Sequence, residues 1–281
     1  MTEKVYSSDW EDYELIDAGN EKKLERWGNV VTIRPERQAY FKPGMPEEEW
    51  DEVAHLEFVP MGNTAGKWVI RQELPREEWK IRYKDLVFHL ETTKFKHVGL
   101  FPEQSTNWNL ISKHLSQPGM KMLNLFAYTG AASIVGKSRE AEVTHVDAVK
   151  QLISWAKTNM EASGLKDIRW IHEDALKFAH RELKRGNFYH LIVMDPPAWG
   201  IGANNEKWKI EHKLEALIEI ASQLLHPDGL LILNTYSPKV KLKEIHYFAK
   251  KHFSKVKASE LWKKTFTEKD MFFGHLVRAY K

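Results

Sequence analysis

A chain of 281 residues is long enough for two folded domains, and 42% hydrophobic with 29% charged residues is ordinary for a globular protein. It contains no cysteine, which excludes disulfides, thiolate metal sites and a cysteine nucleophile, and fits a cytoplasmic setting. The formal net charge of +3 is uneven: residues 1–94 are net −6, residues 95–238 net +1, and residues 239–281, with 12 basic against 4 acidic side chains, net +8.

No run approaches the roughly 20 apolar residues of a membrane span, and the acidic opening MTEKVYSSDWEDYEL lacks a signal peptide's apolar core. Residues 1–95 then show short alternating segments broken by Gly and Pro: VVTIRPE, AHLEFVP, WVIRQEL and LVFHLETT. They predict a β-rich N-terminal module. The acidic run Glu47–Glu49 with Asp51 and Glu52 around Trp50 reads as a solvent-facing excursion.

Residues 96–281 predict a second domain. Apolar strands MLNLFAY, EVTHVDA, IRWIHED, YHLIVMD and LLILNTYS alternate with helical stretches near 130–139, 149–163, 175–186, 206–226 and 239–252. That alternation argues for right-handed βαβ units and a mostly parallel, Rossmann-like α/β sheet. SKVKASELW and FFGHLVRAY follow without a long helix between them and predict a terminal antiparallel pair. The basic end suits either phosphate contacts or a solvated lysine-rich helix face.

In such sheets ligands bind beyond the C-terminal strand ends. The first strand runs through Asn124 into Phe126, Tyr128 and Gly130, with small residues opening the next helix. One glycine falls short of the GxGxxG that a pyrophosphate wants, which disfavours a nucleotide-dependent oxidoreductase. The second strand ends at Asp147, where a carboxylate can accept both hydrogen bonds of a ribose diol. The third ends at Asp174, which can accept from an adenine amine or simply cap the following helix. The fourth ends in Asp195-Pro196-Pro197-Ala198-Trp199. Paired prolines stiffen the wall, leave neighbouring carbonyls free to accept from a base, and an aromatic there can stack on it. The fifth ends in Asn234-Thr235-Tyr236-Ser237 and lines the same crevice.

With these motifs the sequence resembles the 23S rRNA methyltransferase family that modifies cytosine C5 or guanine N7. FAYTGAAS, VDAV, EDA, DPPAWG and LNTYS carry the resemblance, as do Asp17–Arg26 and Gly99–Gln104, which look like the branch lacking an N-terminal PUA domain. The resemblance implies a class I methyltransferase using S-adenosyl-L-methionine, with ribosomal RNA as partner. Phe126, Tyr128 and Gly130 would pack around the methionine portion, Asp147 would hold the ribose and Asp174 the adenine. Asp195 and Pro196 would face the methyl donor, and Gln104 would lie near the cofactor.

One departure bears on the chemistry. Cytosine-C5 methylation needs a cysteine to add to the ring, and here the fifth strand tip reads Asn-Thr-Tyr-Ser. A hydroxyl without an adjacent base is too basic to substitute. Direct in-line transfer to a base nitrogen needs only positioning, so that is the expected reaction. A protein or metabolite acceptor, or a non-catalytic RNA-binding protein on the same fold, are the alternatives.

Overall fold

The computed structural model describes residues 2–62, 65–202 and 206–281. In chain order the first elements are β1 (Glu3–Tyr6), β2 (Tyr13–Gly19), β3 (Lys22–Trp27), β4 (Val30–Pro35), α1 (Glu47–Val53), β5 (Leu56–Met61), β6 (Ala65–Ile70), β7 (Lys80–Tyr83) and β8 (Leu86–His89). A 3-10 turn (Pro102–Gln104) leads to α2 (Ser105–His114), β9 (Lys121–Leu125), α3 (Ala131–Lys137), β10 (Glu142–Asp147), α4 (Lys150–Ala162), β11 (Arg169–His172) and α5 (Ala175–Lys184). Then come β12 (Tyr189–Met194), β13 (Trp199–Ile201), β14 (Lys207–Lys209), α6 (Ile210–Leu224), β15 (Leu225–Thr235), α7 (Leu242–Lys250), β16 (Lys255–Lys264) and β17 (Asp270–Tyr280).

The chain divides into two compact units. The smaller holds Tyr6–Ser105 with Trp262–Phe273, and the larger holds the residues up to Val5 with Thr106–Leu261 and Gly274–Lys281.

In the smaller unit β2 to β6 form one sheet in sequence order, and β7 pairs with β8. Asn20 and Glu21, both at positive φ, turn β2 into β3, the geometry of a tight hairpin turn. The acidic run faces solvent, as expected, but it does so as a helix that buries its tryptophan. Glu47–Val53 is the helix α1, and Trp50 is 1% exposed against Leu24, Ile33 and Ala54. Its indole Nε1 donates to Asp17, which explains why an indole is buried there.

In the larger unit the strand order is β1-β16-β17-β15-β12-β9-β10-β11. β11, β10, β9, β12 and β15 run parallel, and β17 returns antiparallel to β15, as the alternating strands and helices predict. Alternate residues serve opposite faces. Leu123, Leu125, Ile192, Met194, Leu231 and Leu233 pack with Phe178, Leu217, Ile218 and Ile245 of α5, α6 and α7. Each buried side chain of this size is worth about 1.5–3 kcal/mol. Residues 206–209 depart from the helix expected there: Lys207–Lys209 pair antiparallel with Trp199–Ile201, and α6 starts at Ile210.

Successive strands leave β9 toward β10 and β11 on one side and toward β12 and β15 on the other. The reversal lies between β9 and β12, so a crevice opens at their C-terminal ends.

Candidate active site

The loop leaving β9 turns back on its neighbour. Phe126 (φ 56°) and Tyr128 (φ 52°) are left-handed, as is Gly130 (φ 87°). Left-handed non-glycine residues are costly and persist where their surroundings hold them. Here Ala127 N–H donates to the Val146 carbonyl at 3.1 Å, and Tyr128 N–H to Asp147 Oδ2 at 2.9 Å. Gly130 opens α3, and a Cβ on it would stand 2.8 Å from the Ala156 methyl. Only glycine meets both the φ and the space.

Asp147 is 8% exposed at the tip of β10, and Val149 N–H donates to its Oδ1 at 2.9 Å. Burial pushes its pKa up, against the backbone N–H groups of Val149, Tyr128 and Ala148 that favour the charged form. An ionised carboxylate has about four acceptor positions, so beside these three donors it keeps capacity for one more.

Beneath this loop a buried chain runs from Asn124 Nδ2 to Ser133 Oγ (2.9 Å) and on to His145 Nδ1 (3.1 Å). The amide of Asn124 thus serves the loop's underside. Burial lowers the His145 pKa to about 3, so its ring is neutral. Its Nε2 has no partner among the described residues.

Asp174 caps α5, with Oδ1 accepting from Lys177 N–H at 2.9 Å. Its Oδ2 would be 3.3 Å from a Cβ built on Gly202, at the end of β13. The capping role is therefore realised, with a second oxygen turned toward the β13–β14 ribbon.

At the tip of β12 Asp195 is half-buried, Pro196 buried and Pro197 exposed. The expectation that all carbonyls beside the prolines stay free needs correcting. Trp208 Nε1 donates to the Pro197 carbonyl at 2.6 Å, and Ile210 N–H to that of Ala198 at 3.2 Å. Trp208 is 2% exposed, and its ring lies 4.7 Å from that of Phe126. It joins the β9 loop to the proline wall. Sequence reading missed it because Lys-Trp-Lys was absorbed into a helix. Trp199, on the paired strand, is exposed.

Asn234, the penultimate residue of β15, was also passed over as a single side chain. It is 2% exposed, and neither Oδ1 nor Nδ2 has a partner among the described residues. Its strand neighbour Leu233 pairs with Met194, the residue before Asp195. Gln104 lies in the 3-10 turn of the smaller unit.

Comparison with known proteins bears on this arrangement. Residues 104–262 match the family model described as Conserved hypothetical protein 95. A SAM-dependent methyltransferase from Agrobacterium tumefaciens is 35% identical, with a TM-score of 0.93 covering 99% of this chain and 93% of that one. The structure of SMU.776 complexed with SAH, 17% identical, shares the fold with a TM-score of 0.77, covering 98% of this chain and 76% of that one. Among curated proteins, ribosomal RNA large subunit methyltransferase K/L of Pseudoalteromonas atlantica is 30% identical over 264 residues, 86% of this chain and 35% of that protein. The chain spans about a third or less of the length of the curated relatives it matches.

Proposed function

The chain belongs to the S-adenosylmethionine-dependent methyltransferases, and from that premise we propose that it methylates a base nitrogen of RNA, ribosomal RNA first among candidates. The observation that carries this reading is the row of strand-tip groups at the sheet reversal, ending in Asp195 and Pro196 beside the Phe126–Gly130 loop.

The residues present fit the cofactor. Asp147 retains acceptor capacity for a ribose hydroxyl, and Asp174 has a second oxygen beyond its cap. The Phe126, Tyr128 and Gly130 turn suits the methionine portion, since its one glycine gives no pyrophosphate cradle. When bound, S-adenosylmethionine supplies an electrophilic methyl on its sulfonium sulfur.

The protein's own task is positioning. Asp195 accepts a proton-bearing edge of the base, and the Pro196 carbonyl stands beside it, while Trp208 and the two prolines hold that wall still. With no cysteine in the chain, no covalent adduct activates a ring carbon, so a nitrogen lone pair attacks directly. The names of the curated relatives and the basic residues 239–281 support RNA as substrate. No described helix is long and apolar enough to cross a membrane, and the reading places the reaction in the cytoplasm.

The test is incubation with methyl-labelled cofactor and total RNA, protein and metabolite fractions, followed by mass spectrometry of the nucleosides. Label in RNA, on nitrogen, is expected. Asp195→Ala should keep cofactor affinity while turnover falls about a hundredfold, as loss of a positioning group can. Label confined to protein or metabolites would refute the RNA substrate, and 5-methylcytidine as direct product would refute the mechanism.

A further inference from the structure

The ribbon of β13 and β14 has two unlike faces. Alternation along its strands sends Trp208 inward, where it is 2% exposed, with Gly200 as its register partner. The other four positions face solvent: Trp199 is 59% and Ile201 53% exposed, and Lys207 and Lys209 are exposed as well. Register sets Trp199 directly across from Lys209, and Ile201 across from Lys207, within reach of joint contact with one ligand. Neither lysine has an acidic partner among the described residues.

This exposure belongs to the architecture. The ribbon is fixed at its base by the bonds to Pro197 and Ala198 and by the ring contact with Phe126. A well-held ribbon that turns a tryptophan and an isoleucine to water, each beside a lysine with no acidic partner among the described residues, presents planar and apolar surface together with positive charge. Nucleic acid offers the complement of both: π-faces to stack and phosphates to pair. An apolar protein partner would leave the two lysines buried without counter-charges, which is costly.

We propose that this outer face docks single-stranded RNA next to the methylated nucleotide, stacking a base on Trp199, packing its neighbour on Ile201 and pairing phosphates with Lys207 and Lys209. The proposal rests on the reading that the substrate is RNA. Because β13 begins four residues after Asp195, nucleotides held there flank the one presented to the strand tips. The ribbon then acts before chemistry, by splaying the strand at the target.

Anisotropy with a fluorescein-labelled single-stranded RNA of about twelve nucleotides, within the range such grooves span, tests this on the full chain. Trp199→Ala should weaken binding about 5- to 150-fold, the fold-change equivalent of one lost base stack, with Trp199→Phe retaining most of it. Lys207→Ala combined with Lys209→Ala should flatten the log–log salt dependence by about 1.4, near 0.7 for each lost phosphate contact on a single strand. Calorimetric affinity for S-adenosylmethionine should be unchanged in all three. Wild-type RNA affinity and salt slope in the variants, preference for the duplex over the single strand, or loss of cofactor binding in Trp199→Ala would each overturn the proposal. If the wild type methylates RNA while the variants behave identically, the ribbon alone is at fault. If the wild type neither binds nor methylates RNA, the substrate reading falls with it.

Discussion

Both units bury charged and polar side chains, but they finish them differently. In the smaller unit Glu25 is fully buried, and every neighbour answers it. Arg34 donates to both its oxygens at 2.7 and 2.8 Å, Tyr13 donates at 2.9 Å, and Lys23 stands 3.3 Å away. Asp17, equally buried, accepts from the backbone of Gly44 and Met45 and from Trp50 and Thr267. At the strand tips of the larger unit the networks stop short. Asp147 keeps an open acceptor position, and His145 Nε2 and both polar atoms of Asn234 have no partner among the described residues. A closed network is what stability demands. An open one at a sheet reversal is where, on the proposed function, a ligand would supply the missing half.

The largest expected effect probes the closed side. Arg34→Ala leaves Glu25 buried with its main partner gone and should cost about 3–5 kcal/mol in urea unfolding. The same pair sets an acid limit. Burial alone would raise the Glu25 pKa, but the charges of Arg34 and Lys23 and hydrogen bonds from Arg34 and Tyr13 hold it at about 2, against 4.5 when free. A depressed carboxylate contributes stability above its unfolded value and loses it as pH falls toward the folded one. Wild-type stability should therefore decline from about pH 4.5 down to about pH 2, and in Arg34→Ala, where the folded Glu25 pKa rises back toward its unfolded value, that decline should shrink. A variant with unaltered stability and acid profile would show the network to be idle.

Asp147 probes a group that is half closed and half open. Asp147→Ala should lower S-adenosylmethionine affinity by about 1.5–3 kcal/mol in calorimetry, the range for hydrogen bonds to a charged group. Asp147→Asn should recover part of it by still accepting from a backbone N–H. Unchanged affinity would mean that the carboxylate only holds the Tyr128 loop.

The smallest effect is the most diagnostic. Removing an unpaired buried amide spares its desolvation cost, so Asn234→Leu should leave the protein as stable as wild type or raise its stability by about 1 kcal/mol, while methyl transfer falls. A loss of several kcal/mol in thermal unfolding would reveal a structural partner and erase the contrast between the two units.

That contrast also explains what was legible. Four of the parallel strands, β9, β10, β12 and β15, read clearly because burial on both faces makes them continuous apolar runs ending in polar tips. β2 and β3 went unread, since Lys23, Glu25 and Asp17 look like surface residues until their partners are known. α1, at seven residues, offers too little periodicity to expose Trp50 as its anchor. The ribbon was hidden because Lys-Trp-Lys ahead of α6 continues an amphipathic helical pattern, and only pairing with Trp199–Ile201 makes it a strand.

By itself the sequence determined the alternating strands and helices of the larger unit, the order of its strand-tip groups and the absence of a thiol nucleophile, because these follow from local hydrophobic pattern and residue identity. The tertiary structure decided which of those groups are already spent. Asn124 is committed to Ser133, one oxygen of Asp174 to its cap and the Pro197 carbonyl to Trp208, while Asn234 is left wanting. Whether a polar atom is satisfied depends on neighbours brought from distant parts of the chain, and no local pattern encodes that.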